Sequence, residues 1–348
     1  MIRPINFGRR YVRLRPLNLR IDVKSLIVTA IIVFLTIAVA LFALMAGTMQ
    51  LSVQEVFSAL FGQATGMTHT VVVEWRLPRI LSAIIFGAGL AISGAIFQSI
   101  TRNPLGSPDI IGFTSGSYTG ALVAMLVAGS TTYIGVAAGA LTGGFTTAII
   151  IYLFAFRKGT QGFRLIIVGI AISAMLGSLN SMLLLKSDAE VALTAAAWGV
   201  GSLNGISFEQ AILPMIVVIL LLIAAWIMNR TMREMQLGED AAKSHGVRME
   251  KDQVLLIVIA VALTAAPTAV MGPISFVALV APQIAIRLTK STESLFPTAA
   301  MGAFLLLGAD VTAQRIVTGN IFPVGVVTLS VGGVYLIWLL FHQARTTR

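Results

Sequence analysis

What most constrains this chain is a series of apolar runs that recur along its whole length. Each is close to the ~20 residues that cross the ~30 Å hydrocarbon layer of a bilayer. Ten can be read, at about 25–46, 79–100, 110–128, 132–156, 163–185, 209–229, 253–271, 275–289, 296–313 and 322–341. The eighth is short and interrupted by proline. A helix satisfies every backbone N–H and C=O within its own segment, as hydrocarbon demands. An all-α polytopic membrane protein of about ten transmembrane helices is therefore expected. The composition agrees: 57% of the 348 residues are hydrophobic and 11% charged, a balance no soluble domain needs.

The basic residues orient the chain, because Lys and Arg in short loops gather on the cytoplasmic side. With ten spans and a cytoplasmic N-terminus, twenty of the twenty-four fall inside. Seven lie between Arg3 and Lys24. The others are Arg102, Arg157, Lys158, Arg164, Arg230, Arg233, Lys243, Arg248, Lys251, Arg287, Lys290, Arg345 and Arg348. Arg76, Arg79, Lys186 and Arg315 stay outside. One span more or fewer would carry later basic loops to the wrong side.

The expected organisation is a cytoplasmic basic segment 1–24, a transmembrane domain 25–342 and a cytoplasmic tail 343–348. The largest inner loop lies at about 230–251. The run Ser25–Ala46 is too long for the apolar core of a signal peptide and reads as an uncleaved first helix. The net charge of +10 is accounted for by topology, so lipid rather than nucleic acid is the expected partner. With no cysteine, the chain can form no disulfide, iron–sulfur cluster or thiolate metal site.

Glycines at four-residue spacing form ridges, Gly112, Gly116 and Gly120 in the third span and Gly135, Gly139 and Gly143 in the fourth. Such ridges let helices approach closely in lipid. Spans two to five and seven to ten are expected to form an inverted repeat.

Several clusters carry polar chemistry. Arg76-Leu77-Pro78-Arg79 opens the second span on the outer face. Pro78 suits a first helical turn, and three-residue spacing predicts both guanidiniums on one side. They could pair with a partner's carboxylates or snorkel to phosphate headgroups. The inner loop Arg102-Asn103-Pro104-Leu105-Gly106-Ser107-Pro108-Asp109 can be read as a gate lining or as a well-capped turn. In the largest inner loop, Leu237-Gly238-Glu239-Asp240-Ala241-Ala242 begins a short helix ended by Gly246, with a smooth face suited to a groove on a cytoplasmic partner. A solvated connector is the plainer reading. Lys243-Ser244 lacks the Gly-x4-Gly-Lys frame of a phosphate loop, so no nucleotide site is expected.

In span five, Ser173, Gly177 and Ser181 share a face with Gly169, and Asn180 lies beside them. This stripe suits a substrate path or close helix packing. No span interior carries a carboxylate pair, which disfavours an ion-coupled carrier. Asp310, near the outer end of span nine, is the exception. No nucleophile–base pair points to an enzyme.

Taken in order, these motifs resemble a known family. They are Arg76-Leu77-Pro78-Arg79, Gly87-Ala88, Ser93-Gly94-Ala95-Ile96-Phe97-Gln98 and Arg102-Asn103-Pro104-Leu105 with Pro108 and Gly112. Further on come Gly238-Glu239-x-x-Ala242, Gly272-Pro273-Ile274-Ser275-Phe276-Val277, Ala309-Asp310 and Pro323-Val324-Gly325-Val326-Val327-Thr328. The chain is similar to the permease subunits of ABC importers for ferric siderophores and cobalamin (the FecCD type) over about residues 48–342. Phe163-Arg164-Leu165-Ile166-Ile167, Thr194-Ala195-Ala196-Ala197-Trp198-Gly199 and Gly201-Ser202-Leu203-Asn204-Gly205 point to its catecholate, ferric-enterobactin branch.

The resemblance implies a type II importer permease in the bacterial inner membrane, with both termini cytoplasmic. Its partners would be a second, non-identical permease, two cytoplasmic ATPases that use ATP, and a periplasmic siderophore-binding protein. Arg76 and Arg79 would receive that protein's glutamates. Asn103, Pro104 and Leu105 would border the cytoplasmic gate. The helix within Leu237–Gly246 would couple to the ATPase, and spans five and ten would line the path. Iron would travel as its chelate, with no cofactor or metal held by this chain. Gln283, His245 and Gln314 depart from the family's usual His, Leu and Arg. The last departure leaves Arg315 facing ~100° away from the family position if that turn is helical.

Overall fold

The computed structural model describes residues 11–14, 19–130, 132–155, 162–291, 295–316 and 322–346. Arg3, Arg9, Arg10, Arg15, Arg157, Lys158 and Arg348, counted above as cytoplasmic, lie outside them. Seven helices are long and apolar enough to cross a membrane, and Phe113–Val127, Val277–Thr289 and Val324–Trp338 are shorter apolar helices. Together they match the ten expected spans in order.

The chain runs β1 (Tyr11–Leu14), β2 (Leu19–Asp22), α1 (Val23–Met45), α2 (Val53–Leu60), α3 (Leu77–Thr101), α4 (Phe113–Leu122), α5 (Tyr133–Ala155), α6 (Gly162–Lys186) and α7 (Ala189–Gly199). It continues through α8 (Phe208–Ile227), α9 (Asn229–Gln236), α10 (Glu239–Ser244), α11 (Met249–Met271), α12 (Val277–Thr289), α13 (Leu295–Ala313) and α14 (Val324–Thr346). The antiparallel pair β1–β2, in register Tyr11↔Asp22, was not expected in the basic segment. Only β2, Leu-Arg-Ile-Asp, alternates apolar with polar, and four positions are too short a pattern to stand out among arginines. Asp22 then caps α1 by accepting from the Lys24 N–H at 3.1 Å.

At the centre, α3 packs against α8, α11, α12 and α13. Phe86, Leu90, Ile96 and Phe97 on it are fully buried. Small residues set the approach: a methyl group at Gly94 would overlap the Ala278 carbonyl, and one at Gly87 the backbone of Gly302. The ridge reading holds for Gly116, Gly120, Gly139 and Gly143, which bring α4 and α5 together backbone to backbone. It fails for Gly112, which breaks the helix at φ 98°, and for Gly135, which faces Ser130 and Thr132. On the periphery, α1 and α6 leave broad apolar faces exposed, including Phe34, Ile37, Ile170 and Met175. Lipid or a partner subunit must cover such faces.

The third and eighth crossings start irregularly. Ser107 caps a short turn, Pro108–Ile111, which Gly112 ends. The loop Gly272–Phe276 precedes α12, whose 13 residues span only ~20 Å. The Phe276 N–H donates to Asp109 Oδ2 at 3.1 Å. Asp109 follows an inner loop and Phe276 an outer one, so they meet between the two faces. Irregular backbone at that depth is tolerated where protein surrounds it.

Candidate functional site

The expected outer cluster forms at the mouth of α3, with a different arrangement. Pro78 has no N–H to donate, and the turns before it, Thr70–Arg76, widen to π spacing; the Leu77 N–H bonds to Val72 O. The helical path thus begins before Arg76, and the two arginines do not open it. Nor do they share a direction. Arg76 turns to the end of α1, where Nη1 and Nη2 donate to Leu44 O and Met49 O at 2.5 and 2.6 Å. Gly47 leaves room for it, since a methyl group there would overlap the guanidinium. Arg79 turns to α13. Its Nε and Nη2 donate to the two oxygens of Asp310 at 2.8 and 2.7 Å.

This pair is enclosed, with the Arg79 side chain 13% and the Asp310 side chain 1% exposed. Gln314 Nε2 also donates to Asp310 Oδ2, at 2.8 Å. An amide at 314 therefore completes the carboxylate's shell, where an arginine would add a second cation. Arg315 is exposed, with its guanidinium 4.4 Å from the Phe42 ring centroid. Its charge reaches Arg76. Arg76 and Arg315 thus both brace the outer end of α1, through Leu44 and Phe42. Sequence spacing could not supply the Arg315 contact, which is to the first helix, far away in the chain.

In the loop that follows α3, Asn103 Oδ1 accepts from the Leu105 N–H at 2.9 Å and Asn103 O from the Gly106 N–H at 3.0 Å. Pro104 sits between these bonds, and the loop is locked as an Asx-type turn. Arg102 before it is left-handed, at φ 49°.

The segment expected to couple forms as a helix, α10, after Gly238 at φ 110°. Glu239 pairs with Lys243 at 2.8 Å. The smooth face is not all outward, however. Ala242 is fully buried within this chain, and Ala241 half-buried. Leu237 (65% exposed), Asp240 and Lys243 are the outward groups. The helix is so short that sequence periodicity could not choose its inner side. Gly246, at φ 86°, ends the segment as expected. His245 Nδ1 lies 2.6 Å from Glu234 Oε2 and ties α10 back to α9. The Glu234 carboxyl is held below its ordinary value chiefly by this hydrogen bond.

The stripe on α6 divides. Gly169 packs on the Ile111 backbone, and Ser173 lies against Gly112. Gly177 faces open space and Ser181 is exposed. Asn180 is buried, and its Oδ1 and Ser173 Oγ have no hydrogen-bond partner.

Residues 35–342 match the model of the FecCD transport family. The chain is 46% identical over 323 residues to the ferric enterobactin transport system permease protein FepG of Escherichia coli, covering 92% of this chain and 98% of that one. It is 35% identical to the iron(3+)-hydroxamate import system permease protein FhuG of Bacillus subtilis, over 91% of this chain and 97% of that one. A solved metal-chelate type ABC transporter in an inward-facing conformation superposes with a TM-score of 0.79. It is 28% identical, over 91% of this chain and 99% of the matched chain.

Proposed function

We infer the role of this chain from one premise: it belongs to the FecCD transport family. It is a multi-pass membrane permease subunit of an ABC importer, a transport subunit and not an enzyme. Its substrate is a ferric siderophore of the catecholate, ferric-enterobactin type. The observation that carries this reading is the 46% identity, sustained over nearly the whole of both chains, to a ferric enterobactin permease.

The importer works in the bacterial inner membrane, with both termini of this chain in the cytoplasm. A second homologous permease pairs with it, and two cytoplasmic ATPases bind and hydrolyse ATP. The chain itself holds no cofactor, and iron crosses inside its chelate. A periplasmic binding protein docks on the outer face through its carboxylates. Arg76 offers one cation there. Arg79 can reach a partner only by leaving Asp310, so Arg315 supplies the second cation. Asn103, Pro104 and Leu105 form the inner gate. The segment Leu237–Gly246 transmits ATPase closure, with Leu237 and Asp240 outward and Ala242 as its inward anchor. Ser173, Gly177, Asn180 and Ser181 border the path, where the unpartnered oxygens of Ser173 and Asn180 could meet water or substrate.

Purification of the chain with such partners, and transport of a panel of ferric chelates, tests the substrate. Catecholates should be carried in preference to hydroxamates and citrate. Equal transport of all three, or of cobalamin alone, contradicts the substrate assignment.

A further inference from the structure

The cytoplasmic ends of α3, α9, α12 and α13 border a half-open cavity of about 290 Å³ beside the inner loop. Its wall holds two guanidiniums, Arg102 and Arg233, and, among the described residues, no carboxylate. Of the neighbouring acids, Glu239 pairs with Lys243 at 2.8 Å, and Glu234 bonds His245 at 2.6 Å while its carboxyl also feels the Arg233 charge.

The remaining polar groups are ordered. Gln98 is 9% exposed, and its Nε2 donates to Leu279 O at 3.1 Å. Gln283 Nε2 donates in turn to Gln98 Oε1 at 2.6 Å. The backbone carbonyl at the foot of this ladder fixes the sense of both amides. Gln283 keeps a second N–H at the cavity wall. Arg102 is held in the left-handed region at φ 49°, where glycine or asparagine is the usual helix terminator. Its backbone N–H bonds back to Gln98 O and Ser99 O. An arginine kept there despite the strain holds its side chain at the cavity. The volume lies at the small end of ligand cavities, ~300–1,000 Å³.

We propose that this cavity is a binding site for a phosphate-type oxyanion, held between Arg102 and Arg233 with Gln283 donating to it. Guanidinium forks match phosphate oxygens in shape and charge. The oxyanion comes either from the cytosol as free phosphate or from the headgroup of an anionic phospholipid in the inner leaflet. The site does not depend on the substrate that is transported.

The test uses the full chain with its partner subunits in nanodiscs. In zwitterionic lipid alone, inorganic phosphate is titrated by calorimetry. In discs containing phosphatidylglycerol, retained lipid is counted by native mass spectrometry. Arg233→Gln, at an exposed position, should weaken the interaction about tenfold, as loss of one charged donor does. Gln283→Leu should weaken it less, and Arg102→Gln with Arg233→Gln should abolish it. The thermal midpoint of each variant reports folding. Phosphate binding in zwitterionic discs supports the site with cytosolic phosphate as its source; phosphatidylglycerol retention without phosphate binding supports it with lipid as the source. Wild type that binds neither, or Arg233→Gln that binds as wild type does, overturns the proposal.

Discussion

Arg79 and Asp310, separated by 231 positions in sequence, close a two-bonded ion pair between α3 and α13. Such a pair ties helices firmly while it is intact. Removing one partner of a buried pair strands a charge, at a cost of about 3–5 kcal/mol. Asp310→Ala should therefore lower the thermal midpoint of the purified protein sharply. Arg79→Met combined with Asp310→Leu should recover most of the loss. Equal stability of wild type and Asp310→Ala would show that the pair is not formed in the membrane.

The same pair underlies the docking roles proposed for the outer arginines. Arg76→Glu and Arg315→Glu should each weaken docking of the binding protein, and together abolish it, with the transporter still assembled. Each exposed pair contributes only ~0.2–1 kcal/mol, and more where the interface excludes water. The affinity should also fall with rising salt. Surface plasmon resonance on nanodisc-held transporter reads this directly. Docking that survives Arg315→Glu unchanged would return the second contact to Arg79.

At the inner face, Ala242 is buried and a larger side chain there overfills the contact. Overpacking costs ~1–3 kcal/mol and here displaces α10. Ala242→Leu should lower transport and uncouple ATPase stimulation from the binding protein, while membrane insertion persists. Leu237→Asp, at an exposed position, should lower coupling without loss of thermal stability. Normal stimulated ATPase activity in both variants would remove the coupling role.

The Glu234–His245 tie predicts a pH dependence. The folded-state carboxyl titrates below its ordinary value of 4.5. Its contribution to stability is therefore present above that value and lost as pH falls through the lowered one. The stability difference between wild type and Glu234→Gln should be present near neutral pH and close as pH falls below 4.5. A difference that closed above pH 6 would contradict the carboxylate as the titrating partner.

The chain has no cysteine, so single substitutions report topology cleanly. Thr312→Cys should react with an impermeant maleimide from outside, and Ser244→Cys only after the membrane is opened. Labelling of both from one side would contradict the ten-span topology.

Much of this fold was legible because hydrocarbon imposes simple rules. Length and apolarity marked every crossing, including the short eighth helix with Pro282. Loop charge gave the arginines an expected side. What sequence could not supply was which groups meet. Arg76 and Arg79 have the spacing of neighbours on one face, yet π spacing before Pro78 and a carboxylate on a distant helix send them apart. Asp109 reads as the acid that complements a helix start, and it is also the acceptor for Phe276. That contact exists only because the loop before α12 descends between the helices. Ala242 reads as part of an outward face, and a six-residue helix carries no periodicity to correct it.

On the proposed function, this chain carries ferric catecholates at the expense of ATP. Proteoliposomes holding the assembled transporter, supplied with binding protein and radiolabelled ferric enterobactin, measure this most directly. Uptake should require ATP, saturate with substrate and persist when the proton gradient is collapsed. Uptake that continues without ATP and stops with the gradient would make the chain an ion-coupled carrier and contradict the account.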